Sequence, residues 1–306
     1  MFAMRRGLRA LVTLWIVITV VFVATRLSGD VAQFLLPPNT PEEQKQELRV
    51  LLGLDRGIPE QYVLYLGDLV QGEFGVSFYS RRPVLEMFVE RMPATLSLAI
   101  PSLLLSMAIG LPVGIVAALK RNSFVDRFLM SLSFFGQATP NFVLGIALIL
   151  TFSLALRLLP SGGTGDWQHF IMPVVTLALA TAANIARLMR SSMLDVLNQD
   201  YMRFARGKGL RPAKVILKHG LRNAFMPVLT ILGLQIGTLV GGAVVVEAVF
   251  SWPGAGRLLV DAVLRRDFAL LQFGVLVVAA TVILANTLVD VSYGLLDPRV
   301  RGRRDR

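Results

Sequence analysis

Six long apolar runs decide what this chain can become. They lie at about residues 8–27, 95–119, 128–158, 171–189, 225–250 and 273–296. A helix needs about 20 mainly apolar residues to cross a bilayer, so each run is a candidate span. The third is long enough to be kinked or broken near Pro140, and Asn184 and Arg187 dilute the fourth. The expected fold is an all-α polytopic membrane protein with six transmembrane helices. Only 17% of the 306 residues are charged, against about 25% in soluble domains. The chain has no cysteine and two histidines, His169 and His219. Disulfides, thiol catalysis and Cys- or His-rich metal sites are therefore excluded.

The net charge of +11 would suggest nucleic acid in a soluble protein. Here its distribution decides otherwise. With the N-terminus placed in the cytoplasm, the cytoplasmic segments hold twenty basic and five acidic residues, and the opposite side ten basic and fourteen acidic. That bias predicts cytoplasmic N- and C-termini. Lipid headgroups and protein partners account for the positive face, with no nucleic acid. The basic start and apolar core of residues 1–27 also fit a secretory signal. The core is long for one, and no small-x-small pair precedes a cut, so this segment is expected to stay as a transmembrane helix.

The expected organisation is a transmembrane helix over 1–27, an extracytoplasmic loop or cap over 28–94, a transmembrane domain over 95–296 and a cytoplasmic tail over 297–306. In the cap, Thr40-Pro41-Glu42-Glu43 reads as a helix start with Thr40 as N-cap. The cap suits either a docking lid for a soluble partner or a self-contained fold. Gly233, Gly237 and Gly241 are spaced by four, as are Gly110 and Gly114. Such glycines let helices approach closely, within the chain or against a second membrane subunit. Asn184, Gln235, Asn286 and Asp290 are polar groups at membrane depth. Asn184 and Gln235 are candidates for the lining of a passage, with interhelical hydrogen bonding as the alternative for Gln235. The aromatics of Glu247-Ala248-Val249-Phe250-Ser251-Trp252-Pro253-Gly254-Ala255-Gly256 suit a membrane interface, followed by a short external helix.

Between the fourth and fifth runs lies a basic loop, 190–224. Met193, Leu197, Tyr201 and Phe204 share one helical face. Gly209 is placed to stop the helix in a left-handed conformation, and Pro212 opens a second helix. Such a loop suits lipid contact or insertion into a partner's groove. Tyr201 and Phe204 are expected to be buried, in a partner's groove or against the chain's own spans.

Asp200-Tyr201-Met202-Arg203-Phe204-Ala205-Arg206-Gly207-Lys208-Gly209-Leu210 resembles the coupling loop of ATP-binding-cassette importer permeases. With Leu217-Lys218-His219-Gly220-Leu221-Arg222-Asn223-Ala224 it is similar to the dipeptide/oligopeptide/nickel branch. Arg203 stands where the general motif has glutamate, and Arg222 at its later proline position. Both departures are usual in the peptide branch. Gly72-Glu73-Phe74-Gly75-Val76-Ser77, Arg91-Met92-Pro93-Ala94-Thr95-Leu96, Leu159-Pro160-Ser161-Gly162-Gly163 and Asp297-Pro298-Arg299 extend the resemblance over nearly the whole chain. Asp166-Trp167-Gln168-His169 is similar to glutathione-type members, and nickel-chelate importers are related. The long loop after the first span resembles the first permease subunit of such systems.

The resemblance implies a type I importer fold with cytoplasmic coupling helices. The partners it implies are a homologous second permease subunit, two cytoplasmic ATPase subunits and an extracytoplasmic solute-binding protein. The coupling residues it implies are Asp200, Tyr201, Arg203, Phe204, Ala205, Gly209 and Leu210. The chain has no phosphate-binding loop of its own. No catalytic residue, metal or cofactor is expected in it, with ATP and magnesium on the partner ATPases. An ion-gradient-driven transporter is the alternative, and it leaves the ordered basic loop unexplained.

Overall fold

The structure, a computed structural model, describes residues 2–28, 36–37, 39–51, 53–209 and 211–296. The side chains at 2–6, 230, 231, 233, 234, 236–240 and 288–296 lie outside that description. Leu210, the tail 297–306 and the side-chain surroundings of Gly233, Gly237 and Asp290 are therefore not placed.

Among the described residues the regular elements are helices, with one isolated pairing of Val76 and Pro83. They are α1 (Phe2–Leu27), α2 (Glu42–Leu51), α3 (Ile58–Gln71), α4 (Val84–Leu119), α5 (Phe124–Ala138), α6 (Asn141–Leu148), α7 (Gln168–Leu197), α8 (Asp200–Gly207), α9 (Arg222–Val249), α10 (Ala255–Leu264) and α11 (Phe268–Leu296). A π-helical turn, Ile149–Ala155, prolongs α6, and another, Val215–Leu221, runs into α9 from Pro212–Lys214.

Four described segments are long and apolar enough to span a membrane: Gly7–Leu27, Val84–Leu119, Gln168–Leu197 and Phe268–Thr287. α5 and the helix after it qualify together, bent by 101° at Pro140. The proline ends one helix because it cannot continue the hydrogen-bond ladder and disfavours helical geometry at Thr139. α9 covers the fifth apolar run with 28 residues. The six-span count is thus approximate. Helix α4 begins at Val84, well before the expected span, and its 36 residues exceed the thickness of a bilayer.

The chain divides into two compact units, residues 1–93 with 257–280 and residues 94–256 with 281–306. In the first, Phe22 of α1 is buried between Tyr62 and Tyr65 of α3, with ring centroids 5.2 and 5.5 Å away. Phe74 and Phe88 both pack on Phe273. The Ser77 hydroxyl donates to the buried Asp267 carboxylate, which also accepts from the Leu270 amide at 3.3 Å. The Thr40 hydroxyl donates backwards to the Pro37 carbonyl at 2.8 Å, and α2 starts at Glu42.

The second unit is built on α4, α7 and α9. Leu98, Met172, Leu177, Val246, Phe250 and Trp252 form one end of its core, and Ile185, Met189, Met193, Ala224 and Val228 the other. Two glycines set the α4–α7 distance. A Cβ on Gly110 would lie 2.6 Å from the Ala182 carbonyl oxygen, and one on Gly114 2.5 Å from that of Ala186. The glycines of the second run therefore serve packing within the chain. The aromatics after α9 are not interface anchors. Phe250 and Trp252 are core residues, and the indole of Trp252 donates to the Ala94 carbonyl at 2.9 Å. The turn closes over the buried Glu247 side chain, because Gly254 and Gly256 leave room for its carboxylate. α10 follows, as the sequence suggests.

Candidate functional site

The loop between α7 and α9 is two helices about Gly209, but not in the register the sequence suggests. The helical face drawn through Met193, Leu197, Tyr201 and Phe204 assumes one continuous helix. α7 ends at Leu197, and α8 starts afresh at Asp200 after Gln199 takes an extended conformation. The restart rotates the next helix. Met202 and Ala205 point inward, where they pack with Val215 against Val196 and Leu197. Gly220 leaves the space, since a Cβ there would already touch the methyl ends of Met202 and Met193.

Tyr201 and Phe204 are correspondingly turned out, 41% and 67% exposed. The expectation that they bury against the chain's own spans is overturned. The Tyr201 hydroxyl accepts from the Asn223 side-chain amide at 3.1 Å. The Lys208 ammonium lies 4.6 Å from the Phe204 ring centre, a contact of modest strength at an exposed position. Asp200 and Arg203 are exposed and face each other at 3.6 Å, a surface pair worth well under about 1 kcal/mol. Gly209 has φ +72°, with its amide bonded to the Arg206 carbonyl at 3.0 Å and nothing against it. That is the left-handed stop the sequence suggests. The second loop helix is not separate: from Pro212 it runs unbroken into α9.

Sequence reasoning missed how the loop is anchored. Arg190, on α7, makes a bidentate pair with Asp126 in the first turn of α5, at 2.6 and 2.7 Å. The Asp126 side chain is only 4% exposed. It also accepts from the Asn122 amide at 2.9 Å, in a turn where Asn122 has φ +62°. The Ser123 hydroxyl caps the helix by accepting from the Asp126 amide. Arg190 lies seven residues before the end of α7 at Leu197, about 10 Å along the helix. Ser-Phe-Val-Asp, a cap followed by an acid, was the available signal, but nothing in it names Arg190 as the partner.

Of the other candidates, Asn184 is half-buried and accepts from Arg187 at 3.3 Å along its own helix. Gln235 is half-buried on α9. Among the described residues no atom lies within 4 Å of a Cβ added at Gly241. Among the described residues no cluster of three or more His, Cys, Asp or Glu could hold a metal.

Residues 110–302 match the family described as the binding-protein-dependent transport system inner membrane component, and residues 1–99 match its N-terminal companion. The chain is 44% identical over 301 residues to the glutathione transport system permease protein GsiC of Escherichia coli strain K12, with 98% of each chain covered. The protein of the same name from Shigella flexneri serotype 5b matches equally. Among solved structures, an inward-facing MetNI methionine ABC transporter aligns with a TM-score of 0.62 at 19% identity, over 70% of this chain and 98% of that one. An amino acid ABC transporter solved with histidines aligns at 0.52 and 18%, over 68% of this chain and 92% of that one. These two likenesses concern the fold, that of a type I importer permease. With a family match across both halves and a relative covering the whole length, the chain belongs to the inner membrane components of binding-protein-dependent transport systems, and is a multi-pass permease of the ATP-binding-cassette class.

Proposed function

We propose that the chain forms half of the translocation path of an ATP-driven importer of small peptides, with glutathione as its foremost substrate. A homologous second permease subunit supplies the other half, two ATPase subunits dock from the cytoplasm, and a soluble binding protein delivers the substrate. ATP and magnesium belong to the ATPases; this chain carries no catalytic group. The N- and C-termini lie in the cytoplasm, as the distribution of Lys and Arg suggests. Leu210 and Arg203 join the docking set, and Gln235 and Asn184 belong to the path.

The observation that carries the reading is the two-faced α8. Met202 and Ala205 fix the helix to the chain while Tyr201 and Phe204 are presented outward. Exposed aromatics on a short, firmly held helix are the form of a knob that fits a groove on a partner. ATP-driven closure of the partners moves the knob, and α7 and α9 carry the movement into the spans. The choice of glutathione rests on the 44% identity to permeases of that name.

The test is uptake by proteoliposomes holding the full importer, loaded with labelled glutathione and its binding protein. Gly209→Pro removes a left-handed residue and an amide that bonds Arg206. It is expected to insert and assemble yet abolish ATP-driven uptake. Phe204→Ala is expected to lower uptake and stimulated ATP hydrolysis together. Uptake at the normal rate by Gly209→Pro, or uptake driven by an ion gradient without ATP, would overturn the reading. A dipeptide taken up in place of glutathione would overturn the substrate alone.

A further inference from the structure

Helix α3 belongs to the segment that the sequence assigns to an external cap, yet its partner is the middle of a membrane span. The Tyr62 hydroxyl shares a 2.5 Å hydrogen bond with the Thr19 hydroxyl. Thr19 lies eight residues before the end of the Gly7–Leu27 span, which is about 12 Å inside it along a helix. Tyr62 and Tyr65 together bury Phe22, five residues before that end. A phenol side chain reaches only about half of that 12 Å depth, on the dimensions of a small amphipathic ring. The α3 backbone must therefore sit below the end of the span.

The three faces of α3 agree with such a position. Gln61, Tyr62, Tyr65 and Leu69 turn toward the chain. Glu60, Asp68 and Gln71 are polar and exposed. A third face, Pro59, Val63, Leu66 and Val70, follows the i, i+4, i+7, i+11 spacing of a helical stripe. On it Val63 is 67% and Val70 89% exposed. The helix has its entry and exit secured. The Gln61 side-chain amide donates to the carbonyls of Arg56 at 2.8 Å and Leu54 at 3.3 Å. Gly72 ends the helix at φ +81°.

We propose that α3 is an interfacial membrane helix. Its Val63–Val70 stripe contacts lipid acyl chains in the leaflet at the C-terminal end of α1, and its Glu60, Asp68 and Gln71 face reaches the headgroups. This is the arrangement of an amphipathic helix lying at the headgroup–acyl boundary. The occupant is lipid rather than a soluble protein because the contact with Thr19 fixes α3 at the depth of the span, where a soluble partner does not reach.

The absence of cysteine makes the test direct. Single-cysteine variants Val63→Cys, Val70→Cys, Glu60→Cys and Asp68→Cys are made in the full importer, checked for uptake and labelled with a nitroxide in proteoliposomes. The labels at 63 and 70 are expected to collide more with oxygen than with a water-soluble nickel chelate, and those at 60 and 68 the reverse. A polar maleimide is also expected to react with Val63→Cys at least about tenfold more slowly than with Asp68→Cys. An apolar setting raises a thiol's pKa, and each unit removes about a factor of ten in thiolate. Strong nickel-chelate collision at all four sites would make α3 part of an aqueous cap and overturn the proposal. So would labels at 63 and 70 that meet neither probe, which would mean that protein covers the stripe.

Discussion

Helix α7 joins two regions built on opposite principles. Toward its middle it is sealed to its neighbours. Gly110 and Gly114 admit the backbone of α7 at a distance that no larger residue allows, and the Arg190–Asp126 pair fastens it to α5. Past its end, α8 turns its largest apolar side chains away from the chain. The sealed region makes the helix a firm member; in the proposed function, the open face is where a partner would push it.

Substitutions should divide along the same line. Asp126→Asn is expected to have the largest effect on folding, because it leaves the half-buried Arg190 guanidinium without its carboxylate. Leaving a charged group unsatisfied costs about 1–3 kcal/mol, read as a lowered unfolding midpoint of the purified importer. The double change Asp126→Leu with Arg190→Met should recover most of the loss, since replacing both charges by apolar groups is often neutral. Next is Gly114→Ala, whose methyl meets the Ala186 carbonyl oxygen and the Met189 side chain. Overpacking of that kind costs about 1–3 kcal/mol, in the same measurement. Gly241→Ala is the control with the smallest effect. It has the same chemistry and the same four-residue spacing, but no described atom within 4 Å of the added methyl, so the unfolding midpoint of this chain alone should not fall and should rise slightly, since alanine is favoured over glycine inside a helix by up to about 1 kcal/mol. A drop in the assembled importer but not in the single chain would place Gly241 against the second membrane subunit.

The spans were legible because length and hydropathy alone define them, and the Pro140 break because proline has one consistent effect on a helix. Gly209 was legible for the same kind of reason. The faces of α8 were not. Two residues, Asn198 and Gln199, interrupt the helix without a proline or glycine to announce it, and every later side chain changes direction. The Asp126–Arg190 pair was equally hidden. Its members are 64 positions apart, and each taken alone is an ordinary charge near the end of an apolar run. Phe250 and Trp252 misled in the opposite way. Aromatics at the end of a span favour an interface, but here the turn folds back and a hydrogen bond to Ala94 draws the indole inside.

The unbroken helix from Pro212 to Val249 has a mechanical consequence. At 38 residues it would measure about 57 Å if straight. A rod of that length works as an indicator needle, and a small tilt at its base becomes a sweep of several ångströms at its tip. Its two softest places, the wide turns of Val215–Leu221 and the missing backbone donor of Pro227, lie near the base. In the proposed function the base is the driven end, so the needle would pivot close to it and stay stiff beyond. The tip, buried under the Trp252 turn, is where such a displacement would register first.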